Sequence, residues 1–140
     1  MPTPPSPCDV PAVTLLESRF VRGDLPRLRM LIDQHACREG LPESRRRDFV
    51  VAMDAVALNS IEHAGGDGTL LLQRSDGRLT CQIRDAGSGF SADVIPAAPP
   101  GLDTGTRGYG LWLARLLTDD LSVSVGSGTT VVTLTVQLPA

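Results

Sequence analysis

Between Phe49 and Ala64 the apolar residues Phe49, Val50, Met53, Val56, Ala57, Ile61 and Ala64 recur at i, i+1, i+4, i+7, i+8, i+12 and i+15. That spacing is one continuous greasy face of an α-helix, and a helix so patterned must lie on a second apolar layer. The β-rich runs Thr69 to Arg74 and Leu79 to Arg84 can supply it, separated by Ser75-Asp76-Gly77, whose Asp-Gly pair is a strong signal for a tight antiparallel hairpin. A second hairpin is predicted from Leu121–Val125 and Thr130–Leu138, joined at Gly126-Ser127-Gly128.

The remaining elements follow from punctuation. Thr14 to Val21 reads as a first strand; Asp24, with Pro26 close behind, reads as the N-cap of a helix running to Glu39 and stopped by Gly40. Leu25, Leu28, Leu31, Ile32 and Ala36 give that helix its apolar stripe, and Gly65-Gly66 ends the one that follows. Residues 86–107 hold four glycines and three prolines, so they read as a long loop before a third helix, Gly110 to Thr118, with leucines at 111, 113, 116 and 117. The order β, α, α, β, β, loop, α, β, β predicts a two-layer α+β sandwich: a five-stranded, mostly antiparallel sheet with three helices on one face. Residues 1–13 hold five of the eleven prolines and read as a disordered tail, leaving residues 14–140 as one domain.

Composition closes several routes to function. All thirteen basic residues are arginine, which excludes a Walker A lysine, a protein-kinase strand lysine and Schiff-base chemistry. The net charge of −3 and a single short basic run, Arg45-Arg46-Arg47, argue against direct nucleic-acid binding. Cys8, Cys37 and Cys81 are odd in number and lack CxxC spacing, so they read as buried or idle thiols in a reducing compartment. No apolar run approaches the roughly 20 residues that span a bilayer, so a cytoplasmic protein without a membrane segment is expected.

Three features could carry chemistry. Ala55, Asn59 and His63 are spaced by four on a helix face away from the centre of the apolar stripe, with His63 at the helix C-terminus, where the dipole favours it. Asp85-Ala86-Gly87-Ser88-Gly89 places an acid at a strand end before two glycines; with no third glycine and no crossover helix, it is not a dinucleotide fingerprint. Gly105 to Leu113 runs glycines into a helix start, where unpaired backbone N–H groups favour an anion such as phosphate. Taken singly, each is also explained as a structural amide, a turn and a helix cap.

In this order the three resemble a known family. Val51 to Ala64 is similar to the N box of the histidine-kinase-like (GHKL) ATPases, Asp85-Ala-Gly-Ser-Gly-Phe90 to their G1 box, and Gly108-Tyr-Gly-Leu-Trp-Leu113 to their G2 box. The anti-sigma factor serine kinases are the branch it most resembles, over residues 15–138. The resemblance implies a Bergerat ATP-binding fold whose N box, through Asn59 and His63, takes part in the site, Asn59 holding Mg²⁺ against the phosphates. Asp85 would accept from the adenine amino group, Gly87 and Gly89 would shape the base pocket, and Thr130 would sit near the adenine. Gly108, Gly110 and Leu111 of the G2 box would meet the phosphates under a lid formed by residues 91–107.

Two departures stand out. The family's N box carries a glutamate four residues before the asparagine, where this chain has Ala55, which can neither orient nor deprotonate a nucleophile. Asp54 is the doubtful substitute base, turned about 100° round the helix axis from that position. Tyr109 stands between the G2 glycines where arginine is usual, and Arg107 is the candidate replacement.

The resemblance implies an ATP- and Mg²⁺-dependent serine kinase that phosphorylates an anti-anti-sigma antagonist and sequesters a sigma factor, as a homodimer with its first helix at an interface. The alternative, favoured by Ala55, is a catalytically weak, nucleotide-dependent protein that clamps a sigma factor or antagonist. A sensor histidine kinase is disfavoured, because no phosphoacceptor histidine lies on a long helix before the ATP domain.

Overall fold

The computed structural model describes residues 12–63, 66–86, 107–126 and 128–139, with side chains from Arg107 to Tyr109 and at His63 left aside. Strand β1 (Val13–Val21) runs through a 3₁₀ turn (Arg22–Asp24) into α1 (Leu25–Arg38), and α2 (Glu43–His63) follows. Then come β2 (Asp67–Ser75), β3 (Arg78–Asp85), α3 (Arg107–Leu117), β4 (Asp120–Gly126) and β5 (Thr129–Gln137). The sheet order is β1-β2-β3-β5-β4 and every pairing is antiparallel. The α+β sandwich expected from the sequence is what the chain forms. Of the proline-rich tail, residues 1–11 lie outside the described residues, while Val13 already belongs to β1.

Alternation builds the core. Leu70 and Leu72 of β2, Leu79, Cys81 and Ile83 of β3, and Val132, Leu134 and Val136 of β5 are buried, and their cross-strand pairing puts them on one face of the sheet. Onto that face α2 sets Phe49, Met53, Val56, Ala57 and Ile61, as its periodicity predicts, joined by Leu28, Ile32 and Ala36 of α1 and Leu111 and Ala114 of α3. Leu116, one of the leucines that suggested α3, is 63% exposed on its outer side.

Local chemistry explains the joints. At the β2–β3 hairpin Asp76 and Gly77 have φ of 51° and 72°, the paired positive values of a type I′ turn, and Ser75 faces Arg78 across it. Helix α1 ends in a Schellman motif: Leu41 N donates to Ala36 O at 3.0 Å and Gly40 N to Cys37 O at 3.0 Å, with Gly40 at φ 90°. Asp24 differs from expectation, because its carboxylate makes no cap bond to α1. It accepts instead from the backbone N–H of Val21 at 2.9 Å, closing the 3₁₀ turn that precedes the helix. Helix α3 starts at Arg107, three residues before the glycine at which the sequence reading began it.

The arginine run at the start of α2 is absorbed by the fold. Arg45 pairs with Asp119 at 2.8 Å, Arg46 donates to Leu41 O at 2.8 Å and to Asp33 at 3.2 Å, and Arg47 pairs with Glu43 at 2.7 Å. Asp119 also accepts from the backbone N–H of Gln137 at 2.7 Å, tying the start of α2 to the end of β5.

Two expectations follow. A Cβ at Gly68 would lie 2.7 Å from Cζ of Phe20 and 3.0 Å from the Arg84 carbonyl oxygen. Gly68→Ala should therefore cost about 1–3 kcal/mol in denaturant unfolding, as overpacked cores do. Phe20→Leu in the same chain should return part of that loss, and an unchanged midpoint for Gly68→Ala alone contradicts the contact. Of the thiols, Cys37 is exposed rather than buried, whereas burial pushes Cys81 up to about 12, leaving it a neutral thiol at ordinary pH. In a Cys8→Ser background at pH 8, a thiol reagent should therefore label Cys37 promptly and Cys81 only on unfolding.

Candidate functional site

The site begins with the two long rows that α2 turns toward α3. Val51, Ala55 and Asn59 form one row at spacing four, and Asp54, Leu58 and Glu62 form its neighbour. Together with Gly110 and Leu113 of α3 these six residues line a cleft of about 320 Å³, a volume within the range of small-molecule sites. Asn59 is 6% exposed, so its amide sits at the buried wall of this cleft. The 100° turn between positions 54 and 55 does not carry Asp54 elsewhere, since both residues line the same space.

Helix α3 approaches α2 at Gly110, opposite Ala55. A Cβ there would stand 3.4 Å from the Ala55 carbonyl oxygen and 3.9 Å from the Ala55 Cβ. The first three residues of α3, Arg107 to Tyr109, carry backbone N–H groups that have no partner inside the helix, and the positive end of the dipole lies there. The N–H of Gly110, the fourth residue, makes the helix's first internal hydrogen bond. The earlier start changes what the two glycines can offer: Gly108 lies among the residues with free N–H groups, while Gly110 has its N–H inside the helical ladder and brings only its lack of a side chain. Leu111 is wholly buried in the core, so only its backbone could meet a ligand.

The other half of the site is at one end of the sheet. Asp85, the last residue of β3, is 8% exposed and pairs in register with Thr130 of β5, itself fully buried. The Thr130 hydroxyl is the one buried side-chain polar atom among the described residues with no hydrogen-bond partner. Such a group calls for a ligand or a water. Asp85 also borders a second cleft of about 200 Å³ with Arg19, Asp67, Gly68, Thr69, Arg84, Ala86 and Thr129.

The structure thus brings Asp54, Ala55, Asn59 and Gly110 to one cleft, and Asp85 with Thr130 to the end of β3 and β5. Gly87, Gly89 and residues 91–106 of the expected lid lie outside the described residues, as do the side chains of His63 and Arg107. The sequence reading missed Val51, Leu58, Glu62 and Leu113 as lining residues. The four-residue spacing of 54, 58 and 62 beside 51, 55 and 59 was the available signal.

The donor set suits a magnesium nucleotide. The uncharged amide oxygen at Asn59 is a hard oxygen ligand of the kind Mg²⁺ accepts. The free N–H turn of α3 suits phosphate, and the orphaned Thr130 hydroxyl beside Asp85 offers polar contacts to a base. No group of three or more His, Cys, Asp or Glu that could hold a metal by itself occurs among the described residues. No helix among them is long and apolar enough to cross a membrane.

Comparison with solved structures finds the same architecture elsewhere. The RsbU and RsbW domains of Rv1364c from Mycobacterium tuberculosis superpose with a TM-score of 0.62 at 20% identity, covering 89% of this chain and 34% of that one. This chain thus spans about a third of the mycobacterial protein. The SiaB-SiaC complex from Pseudomonas aeruginosa gives 0.63 at 14% identity, covering 88% and 89% of the two chains. The histidine kinase AdeS of Acinetobacter baumannii gives 0.56 at 12% identity, covering 91% and 70%. No curated protein sequence matches. The histidine kinase-like ATPase domain does match, over residues 21–136, which takes in all three helices and strands β2 to β5. That match covers well over half of the chain's length, and the chain belongs to the histidine kinase-like ATPase domain family.

Proposed function

We propose that the chain binds ATP with Mg²⁺ and is a protein serine kinase of the anti-sigma type, transferring phosphate to an anti-anti-sigma antagonist and holding a sigma factor in turn. The observation that carries this reading is the shared cleft of Asp54, Asn59 and Gly110, which puts a carboxylate, an amide and a helix N-terminus around one space. Likeness to RsbW domains and to SiaB, crystallised with SiaC, supports a protein partner. A homodimer with α1 at its interface and a cytoplasmic location belong to the same proposal.

ATP is the phosphoryl donor in this reading, and Mg²⁺, when bound, would supply charge neutralisation at the phosphates. Asp85, with the Thr130 hydroxyl opposite, fixes the base at the sheet end. The N–H of Gly108 and its neighbours at the start of α3 would hold phosphate oxygens, and the Asn59 amide oxygen would be a ligand to the metal. Asp54 takes the proton of the attacking serine hydroxyl as its oxygen bonds to the γ-phosphorus and the bond to the β–γ bridging oxygen breaks. Phosphoryl transfer rests mainly on positioning and charge stabilisation, so a base displaced by one residue is compatible with it.

The second reading, a nucleotide-dependent clamp without efficient transfer, is favoured by Ala55. Close contact with Gly110 leaves a methyl where the family's glutamate would point a carboxylate.

Asn59→Ala and Asp85→Asn should each weaken Mg-ATP binding at least tenfold by calorimetry, roughly the loss of one charge-assisted hydrogen bond. Parent-like affinity in both displaces the site. Asp54→Ala should slow single-turnover transfer to the antagonist by about 10² to 10⁴, the usual contribution of a positioned base, without weakening ATP binding. Ala55→Glu should raise transfer if Asp54 serves poorly and add little if it serves well. Transfer indifferent to both substitutions supports the clamp.

A further inference from the structure

The cleft between α2 and α3 has a charge balance that its proposed ligand makes awkward. Its lining includes two acidic side chains, Asp54 and Glu62, and among its described lining residues none is basic. Two bare carboxylates would repel the phosphates of a nucleotide across so short a space. Each carboxylate, however, has an arginine on its outer side. Arg29 Nη1 of α1 donates to Asp54 Oδ1 at 3.3 Å, and Arg22 Nη2, in the turn before α1, lies 3.8 Å from Glu62 Oε1. Neither arginine lines the cleft.

Stability does not explain these pairs. All four side chains are 27% exposed or more, and exposed ion pairs contribute little to folding. What they do change is the field inside the cleft, because a charge one side chain away from its wall is screened far less than one a Debye length off.

We propose that Arg22 and Arg29 are the counter-charges that allow this cleft to take an anionic ligand, with α1 and its preceding turn setting the affinity for phosphate without touching it. This rests on reading the cleft as the phosphate end of a nucleotide site. Both arginines stand on one short stretch of chain, Arg22 to Arg29, and removing either charge raises the negative potential in the cleft.

The test compares adenosine, ADP and ATP at fixed Mg²⁺ and low ionic strength by calorimetry, on the full chain. Arg29→Gln should weaken ATP about three- to tenfold, ADP less, and adenosine not at all, with the loss fading at about 0.5 M salt. Arg29→Gln with Asp54→Asn should restore ATP affinity, because it removes the uncompensated charge. Thermal melting of each variant verifies folding. Equal losses for all three ligands, or no loss for ATP, overturn the counter-charge role. Tighter Mg-ATP binding in Arg29→Gln also overturns it, by giving the carboxylates to the cation. A parent protein that binds none of the three overturns the nucleotide reading itself, a result that the variants are not needed to see.

Discussion

Helix α2 has to be covered on two sides at once, and everything else is arranged by that demand. Its apolar stripe lies on the sheet through Phe49, Met53 and Val56, which leaves its opposite rows to be met by α1 and α3. Helix α3 packs near α2 where glycine and alanine meet at Gly110 and Ala55: a Cβ on Gly110 would come into van der Waals contact with the Ala55 carbonyl oxygen. The cleft is the space left beside this contact. An N-box side chain larger than alanine at position 55 therefore changes the volume and the chemistry of the cleft that it lines.

Much of this was legible in the chain. The periodicity of α2, the Asp76-Gly77 turn and the paired β-runs are local signals, each decided by residues within a few positions of one another, and each led to the element found. Asp24 shows the limit: a carboxylate after a strand and before a proline suits an N-cap, yet the same group reaches back to Val21 when a 3₁₀ turn intervenes. Leu116 shows another, since four leucines on a short helix fit more than one face. The G1 and G2 glycines pointed to the family only in combination with Asn59.

What could not be read were contacts across sequence distance. Arg29 and Asp54 are separated by α1's second half and the start of α2, and Arg22 and Glu62 by both helices; nothing in either segment announces the other. The run Arg45-Arg46-Arg47 looked like the chain's one basic patch, but its three guanidinium groups are spent on Asp119, Asp33, the Leu41 carbonyl and Glu43. Charge in this chain is organised by partners rather than by runs. With arginine as its only strong cation, such pairing is made by planar groups able to bind two acceptors at once.

The position of β5 has a consequence for how the chain is made. It is synthesised after β4, yet it lies between β4 and β3. A nascent chain can close the β2–β3 hairpin by short-range pairing and add β1 across the two intervening helices, but the far side of β3 stays open until β5 has been made and inserted. Asp85 meets Thr130 only at that moment. Closure of the sheet and the meeting of Asp85 with Thr130 are thus one event, and a chain stalled before Thr129 carries Asn59 on α2 while the Thr130 side of the sheet end does not yet exist.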